Sequence, residues 1–290
     1  MKKVFLAMMS LLLVLGLAAC GSTAKPVDSD KDKGNKKGDS SQSDLTLEEV
    51  FEKSLKASEE MKSFHAKMDI KQEIEHEGSP LNVDVNMDMD VIVDPMSLYQ
   101  KTTTKMEADG ESIAEGTLNT ETYLTEEGFF MYLENEDTWA KFPSELSDQL
   151  MQIPNSQSNP AEQLEQLKTF VEDFSFEQND KEFILKLTAS GEKFEAFLKE
   201  TALNALPEQM KANEEIINNM KINNVEYEIF IDKENFYTTG LNMIMDSEMK
   251  VEEYEIKLHQ EMTGTYSNIN GIDQIKVPQE AIDNAEEINM

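Results

Sequence analysis

The chain has 290 residues, with 58 Asp and Glu against 26 Lys and Arg, a formal charge of −32 and one cysteine. Such acidity excludes nucleic acid as a partner, because phosphates are repelled, and it gives no electrostatic hold on an anionic lipid surface. A single cysteine excludes an internal disulfide, so stability must come from burial and backbone pairing.

Lys2 and Lys3 open the chain, an apolar run follows from Val4 to Leu17, and the small Ala18 and Ala19 precede Cys20. This is the order of an export signal, and the run is shorter than the roughly 20 apolar residues of a spanning helix. Leu17-Ala18-Ala19-Cys20-Gly21 resembles the lipobox of bacterial lipoproteins. That resemblance implies removal of residues 1–19, acylation of the Cys20 sulfur by a palmitate-type chain, and attachment to the extracytoplasmic face of the cell membrane. Cleavage would remove two lysines and no acid, leaving 24 basic against 58 acidic side chains, a charge of −34.

Gly21 to Ser43 is rich in Ser, Lys, Asp and Gly, with Val27 its only large apolar residue, so it cannot offset the entropy of ordering. Residues 20–44 are therefore expected to be a lipidated cysteine on a flexible tether of roughly 25 Å average span. The remainder, 45–290, suits one large domain or two half-domains.

Folding is expected to start at Thr46, placed to cap a helix, with Glu49 three residues later completing a capping box. Leu47, Val50, Phe51, Leu55 and Met61 lie near one helical stripe, which predicts a helix from 47 to about 61. The period then becomes 2. Phe64, Ala66, Met68, Ile70 and Ile74 share one side of a strand, with Lys67, Asp69, Lys71, Glu73 and Glu75 on the other. After Gly78-Ser79-Pro80, Leu81, Val83, Val85, Met87, Met89, Val91 and Val93 alternate with Asn82, Asp84, Asn86, Asp88 and Asp90. That strand would run roughly 40 Å, one side buried and one wet, as in antiparallel sheets. Asp94-Pro95 ends it, and further strands are expected at 97–106, 112–124, 129–133 and 138–142.

Helical segments are expected from Ser144 to Met151, after Asn159-Pro160, from Ser190 onward and after Pro207, with a hairpin around Asn179-Asp180 between them. Strands resume at 222–231, 235–246 and 249–265. The fold class is therefore α+β: a long, curved, half-barrel-like antiparallel sheet in two meanders, with helices on its concave side. The halves 45–143 and 188–280 read as a loose duplication around a helical segment.

A lipobox, a polar tether, a capped helix and two runs of long strands resemble the LolA/LppX-like lipoproteins. Ala57 to Phe64 leading into the first strand, Tyr123 to Tyr132 with Trp139-Ala140-Lys141-Phe142, and Ile275-Lys276-Val277-Pro278 resemble lipoproteins of Bacillus-type Gram-positive bacteria. The resemblance covers residues 45–280. It implies a concave apolar face that holds a lipid or other hydrophobic ligand, and it brings no catalytic residue.

No nucleophile elbow, phosphate loop or dinucleotide fingerprint occurs, so no enzymatic chemistry and no cofactor are expected. His65, His76 and His259 lack metal-site spacing. Asp84, Asp88 and Asp90 stand in a row that spreads oxygens about 6.6 Å apart, too far to converge on one cation, and read as a solvated face. Methionine is in excess, with 15 of 18 beyond residue 19. Met68, Val85, Met87, Met89, Met243, Met245 and Met262 fall at inward strand positions, where they either line an adaptable pocket or fill a core. Trp139 with Phe142, and Phe129 with Phe130, either form an aromatic rim or pack across strands. The sequence thus favours a membrane-anchored, non-enzymatic binding lipoprotein. A structural or protein-interaction module of the envelope is the alternative. A receptor for polar nutrients is disfavoured because strands and helices do not alternate.

Overall fold

A computed structural model of the chain describes residues 23–27, 43–76, 78–108, 111–152, 167, 170, 173–189, 192–205, 219–251 and 254–288. The helix expected after Asn159-Pro160 and the one after Pro207 lie largely outside the described residues, as do the signal, Cys20 and residues 28–42.

The first helix, α1 (Leu47–Glu59), begins as its sequence predicts. Thr46 Oγ1 accepts from the Glu49 amide at 3.2 Å, and Glu49 Oε2 accepts from the Thr46 amide at 2.9 Å. Its stripe of Leu47, Val50 and Phe51 is buried, with Leu55 partly so. Three more helices are described: α2 (Ser144–Gln152), α3 (Glu192–Ala205) and α4 (Gln279–Asn284).

Thirteen strands among the described residues form one open, curved sheet. In chain order they are β1 (Lys25–Pro26), β2 (Ser63–His76), β3 (Ser79–Ile92), β4 (Ser97–Ala108), β5 (Glu111–Thr125), β6 (Gly128–Leu133), β7 (Thr138–Lys141), β8 (Ser175–Gln178), β9 (Glu182–Ala189), β10 (Met220–Asp232), β11 (Thr238–Val251), β12 (Tyr254–Ser267) and β13 (Glu286–Glu287). Their spatial order is β1-β8-β9-β10-β11-β12-β2-β3-β4-β5-β6-β7-β13. Most links within each run are short, which forces antiparallel neighbours, and β9 and β10 also pair antiparallel although α3 lies between them in the chain. The two runs join where β12 pairs with β2, Met262 opposite Ile70. Gly78, at φ +81°, supplies the left-handed residue that lets β2 turn into β3.

Both ends of the sheet depart from the antiparallel expectation. β1 pairs parallel with β8, and β13 pairs parallel with β7. Chain termini thereby cover strand edges whose amides would otherwise be open to another chain. Lys25 and Pro26, inside the stretch expected to be a tether, thus belong to the sheet.

Two clusters occupy the helix-bearing side. The larger joins α1 and α3 to the sheet through Val50, Phe51, Phe183, Leu185, Leu187, Phe194 and Ile231. Each such side chain contributes about 1.5–3 kcal/mol by leaving water. The smaller gathers Met61, Phe64, Ala66, Val91 and Tyr266. The C-terminal helix is the exception to the expected placement. Ala281 of α4 and the preceding Val277 bury Phe130, whose register partner Tyr123 continues through Tyr99 and Asp90 to His65 on the opposite side of the sheet.

Candidate functional site

Because side chains alternate along a strand, register decides which residues of different strands share a side. Met243, Met262, Ile70, Val85 and Thr104 follow one another across β11, β12, β2, β3 and β4. The adjacent row is Leu241, Gly264, Met68, Met87 and Thr102. Flanking it is Tyr266, Ala66, Met89 and Gln100, and on the other flank Met245, Gln260, Gln72, Val83 and Met106. All seven sequence-predicted residues, Met68, Val85, Met87, Met89, Met243, Met245 and Met262, therefore share one side, the side that carries α1 and α3.

They are not equivalent. Met243 and Met245 pack against the larger cluster, and Met68 and Met89 against the smaller. Val85, Met87 and Met262, with Ile70, are half-buried and belong to none of the buried clusters. Exposure grows toward the hairpin end of β4 and β5, where Met106 and Leu118 are 39% and 42% exposed. At Gly264 the row has no side chain, and a Cβ there would stand 3.8 Å from Met68 Cγ. The flexible thioether of Met68 thus lies over the glycine.

Across these rows no residue carries a formal charge, in a chain with 58 acids. Polar members are neutral, and two pairs of them bond to each other. Gln72 Nε2 donates to Gln260 Oε1 at 2.7 Å, and Gln100 Nε2 donates to Thr102 Oγ1 at 2.8 Å while lying 3.7 Å from Met87 Sδ. Burial pushes the hydroxyls of Tyr227 and Tyr266 up to about 12, so both stay neutral donors.

The opposite side holds the charges. Lys67 Nζ meets Asp88 at 3.0 Å, and Lys101 Nζ meets Glu121 at 3.1 Å. Asp90 Oδ1 lies 2.8 Å from His65 Nδ1 and accepts from it in the tautomer that carries the proton there. The row of Asp84, Asp88 and Asp90 is thus divided among neighbouring cations and solvent. Among the described residues, no group of three or more His, Cys, Asp or Glu is placed to hold a metal ion. His259 Nδ1 lies 2.7 Å from Asp246, whose hydrogen bond raises the imidazole above its ordinary range.

Two concavities, of about 520 and 310 Å³, also open beside charged residues. Glu73, Asp246 and His259 line the first, and Asp69, Asp84 and Lys105 the second. Neither includes any of the seven predicted residues. The aromatic residues pack across strands instead of forming a free rim. Phe129 stacks on Phe142 at 4.3 Å, and Trp139 lies 5.0 Å from Tyr132 and 5.9 Å from Tyr123. Sequence reasoning did not single out Gln72, Gln260, Thr102 or Thr104. Their alternation with charged neighbours was readable, but only register places them beside the methionines.

No curated protein matches the chain in sequence. Solved structures share its trace only loosely. Lipovitellin, in a structure concerned with lipid–protein interactions, is 8% identical with a TM-score of 0.35, over 74% of this chain and 26% of that one. The chain therefore spans about a quarter of the lipovitellin chain. A beta-barrel-like DUF1849 protein from Brucella abortus is 7% identical with a TM-score of 0.19, over 70% of this chain and 98% of that one. A DUF1329 protein from Desulfovibrio piger is 9% identical with a TM-score of 0.22, over 77% and 91%. Scores this low carry no inference about ligand. Residues 46–286 match DUF6612, a family of unknown function, and the chain belongs to that family.

Proposed function

We propose that this DUF6612 protein is a non-enzymatic lipoprotein, anchored through Cys20 on the extracytoplasmic side of a membrane, that binds a lipid or other hydrophobic ligand along one side of its sheet. The observation that carries the reading is the uncharged, methionine-rich side of β11, β12, β2 and β3, half-buried at Ile70, Val85, Met87 and Met262. Apolar ligand surface laid there gains roughly 25 cal/mol per Å² removed from water. Methionine side chains re-pack around chains of varied shape, so the site tolerates a range of ligands. No residue is assigned a catalytic role.

One observation favours the alternative, a structural or protein-interaction module. Two concavities among the described residues are lined elsewhere, and the methionines enclose neither of these. Extraction decides between them. A chain from Gly21 to Met290, expressed in bacteria and purified without detergent, is expected to yield co-purifying lipid in an organic extract and to take up a fluorescent acyl probe. An extract no richer than that of a control protein, together with no uptake, would refute the ligand reading. For the anchor, Cys20→Ala in the full chain should release the protein from membranes or halt its processing.

A further inference from the structure

The N-terminal segment is clamped to the sheet by one buried amide. Gln178, 2% exposed, donates from Nε2 to the Ala24 carbonyl at 3.0 Å and to the Ser43 carbonyl at 3.1 Å, while its Oε1 accepts from the Ser43 amide at 2.9 Å. Both of its hydrogens and its oxygen are therefore used, as a buried amide requires. Lys25 and Pro26 pair with Glu177 and Gln178, and the Val27 amide donates to the Gln178 carbonyl at 2.9 Å. Ala24 is 3% exposed within the larger cluster, and Thr23 bridges to Thr46 at the start of α1.

This geometry bears on the anchor. Ala24 and Ser43 are held by the same side chain, so the residues between them add nothing to the distance from Cys20 to the domain. Ala24 is four residues on from Cys20, a reach of at most about 14 Å. A lipid on Cys20 cannot then let the domain swing on a coil of 23 residues.

We infer that the β1–β8 edge and the start of α1 form the surface that the domain turns toward the lipid bilayer, with Gln178 as the residue that fixes it there. The inference rests on the anchoring reading above, whereas the clamp itself does not. Attachment comes from the acyl chain and not from charge, since Lys25 and Lys181 stand beside Glu177, Asp180 and Glu182 at this edge. The β2–β3 hairpin lies far from this edge. Register leads from Gln178 through Phe183, Ile231 and Thr238 toward Ser267 and its partner His65, near the Ser63 end of β2, and the hairpin lies at the other end of that strand, about 43 Å along it.

Two measurements separate the clamp from the anchor. In the full chain carrying Cys20→Ala, hydrogen exchange is expected to show a protected Val27 amide, and Gln178→Ala should lose that protection while α1 and β9 keep theirs. A Val27 amide that exchanges freely in the Cys20→Ala chain overturns the inference. The lipidated chain is then placed on vesicles of phosphatidylglycerol and phosphatidylethanolamine with a headgroup quencher. With Cys20 acylated, an introduced cysteine is the only free thiol for a dye. Fluorescence should be quenched at Lys181→Cys and spared at Ser79→Cys, and ten Gly and Ser residues inserted after Ser22 should abolish the difference. Equal quenching at both positions without the insertion overturns the inference. A chain that stays off the vesicles with Val27 still protected overturns the anchoring reading, and with it the membrane-facing surface, while leaving the clamp standing.

Discussion

Gln72 donates from its Nε2 to Gln260 Oε1 at 2.7 Å, joining β2 to β12 in the middle of a sheet side that carries no charge. Paired to each other, the two amides leave that surface polar only in neutral groups. A carboxylate or phosphate held there would lose its water and meet no cation, a cost of several kcal/mol.

Ligand charge is therefore expected to matter more than chain length. A neutral acylglycerol should displace a bound apolar dye at lower concentration than oleate of matched chain. Displacement by oleate at equal or lower concentration would show that the head group is read elsewhere.

The amide pair itself is testable by a double-mutant cycle in urea. Gln72→Leu leaves Gln260 without its donor and should cost about 1 kcal/mol, and adding Gln260→Leu should recover most of it. Strictly additive losses would mean that the two amides act independently.

Core and ligand-lining positions should separate by stability. Leu185, fully buried among phenylalanines, should cost about 2–5 kcal/mol on truncation to alanine. Met87→Ala, at a half-buried site outside the clusters, should cost less than about 1 kcal/mol. Met87→Asp should keep the circular dichroism spectrum and lose dye uptake. Unchanged uptake would move the ligand away from this row.

His259 makes a pH-dependent contribution whose sign follows from its partners. The Asp246 carboxylate at 2.7 Å, and then Glu261 at 3.6 Å, raise the imidazole pKa in the folded chain, and Glu73 is its register partner on β2. A raised folded-state value means stabilisation that is complete below the unfolded value of about 6.5 and is lost as pH rises through the folded one. The site is 38% exposed, so screening limits the effect to about 0.5 kcal/mol or less. Urea midpoints at pH 6 and pH 8 should differ less in His259→Gln than in the parent. An identical pH dependence would show the pair to be inert.

Much of the fold could be read because its signals are local. Thr46 and Glu49 specify the start of α1 by their spacing, and the alternation from Leu81 to Val91 specifies a strand whatever lies beside it. Where the turns between strands are short, antiparallel pairing is the available topology. The edge strands could not be read. Two residues at Lys25–Pro26 and two at Glu286–Glu287 carry no periodicity, and each becomes a strand only because an open edge, β8 or β7, stands next to it. The same holds for Gln178, whose neighbours in sequence give no sign that its amide holds Ala24 and Ser43. Nor did sequence place α4, since Val277 and Ala281 are buried by Phe130, about 150 residues earlier.

By itself the sequence determined the α+β class, the two meanders and the one-sided placement of the methionines, because period-2 alternation sorts side chains within a strand without reference to any neighbour. Tertiary structure alone decided which of those methionines pack against a buried cluster and which do not, and that Lys25–Pro26 belong to the sheet. Those outcomes depend on register across strands far apart in the chain and on which edge finds a partner, and neither is encoded in any local window.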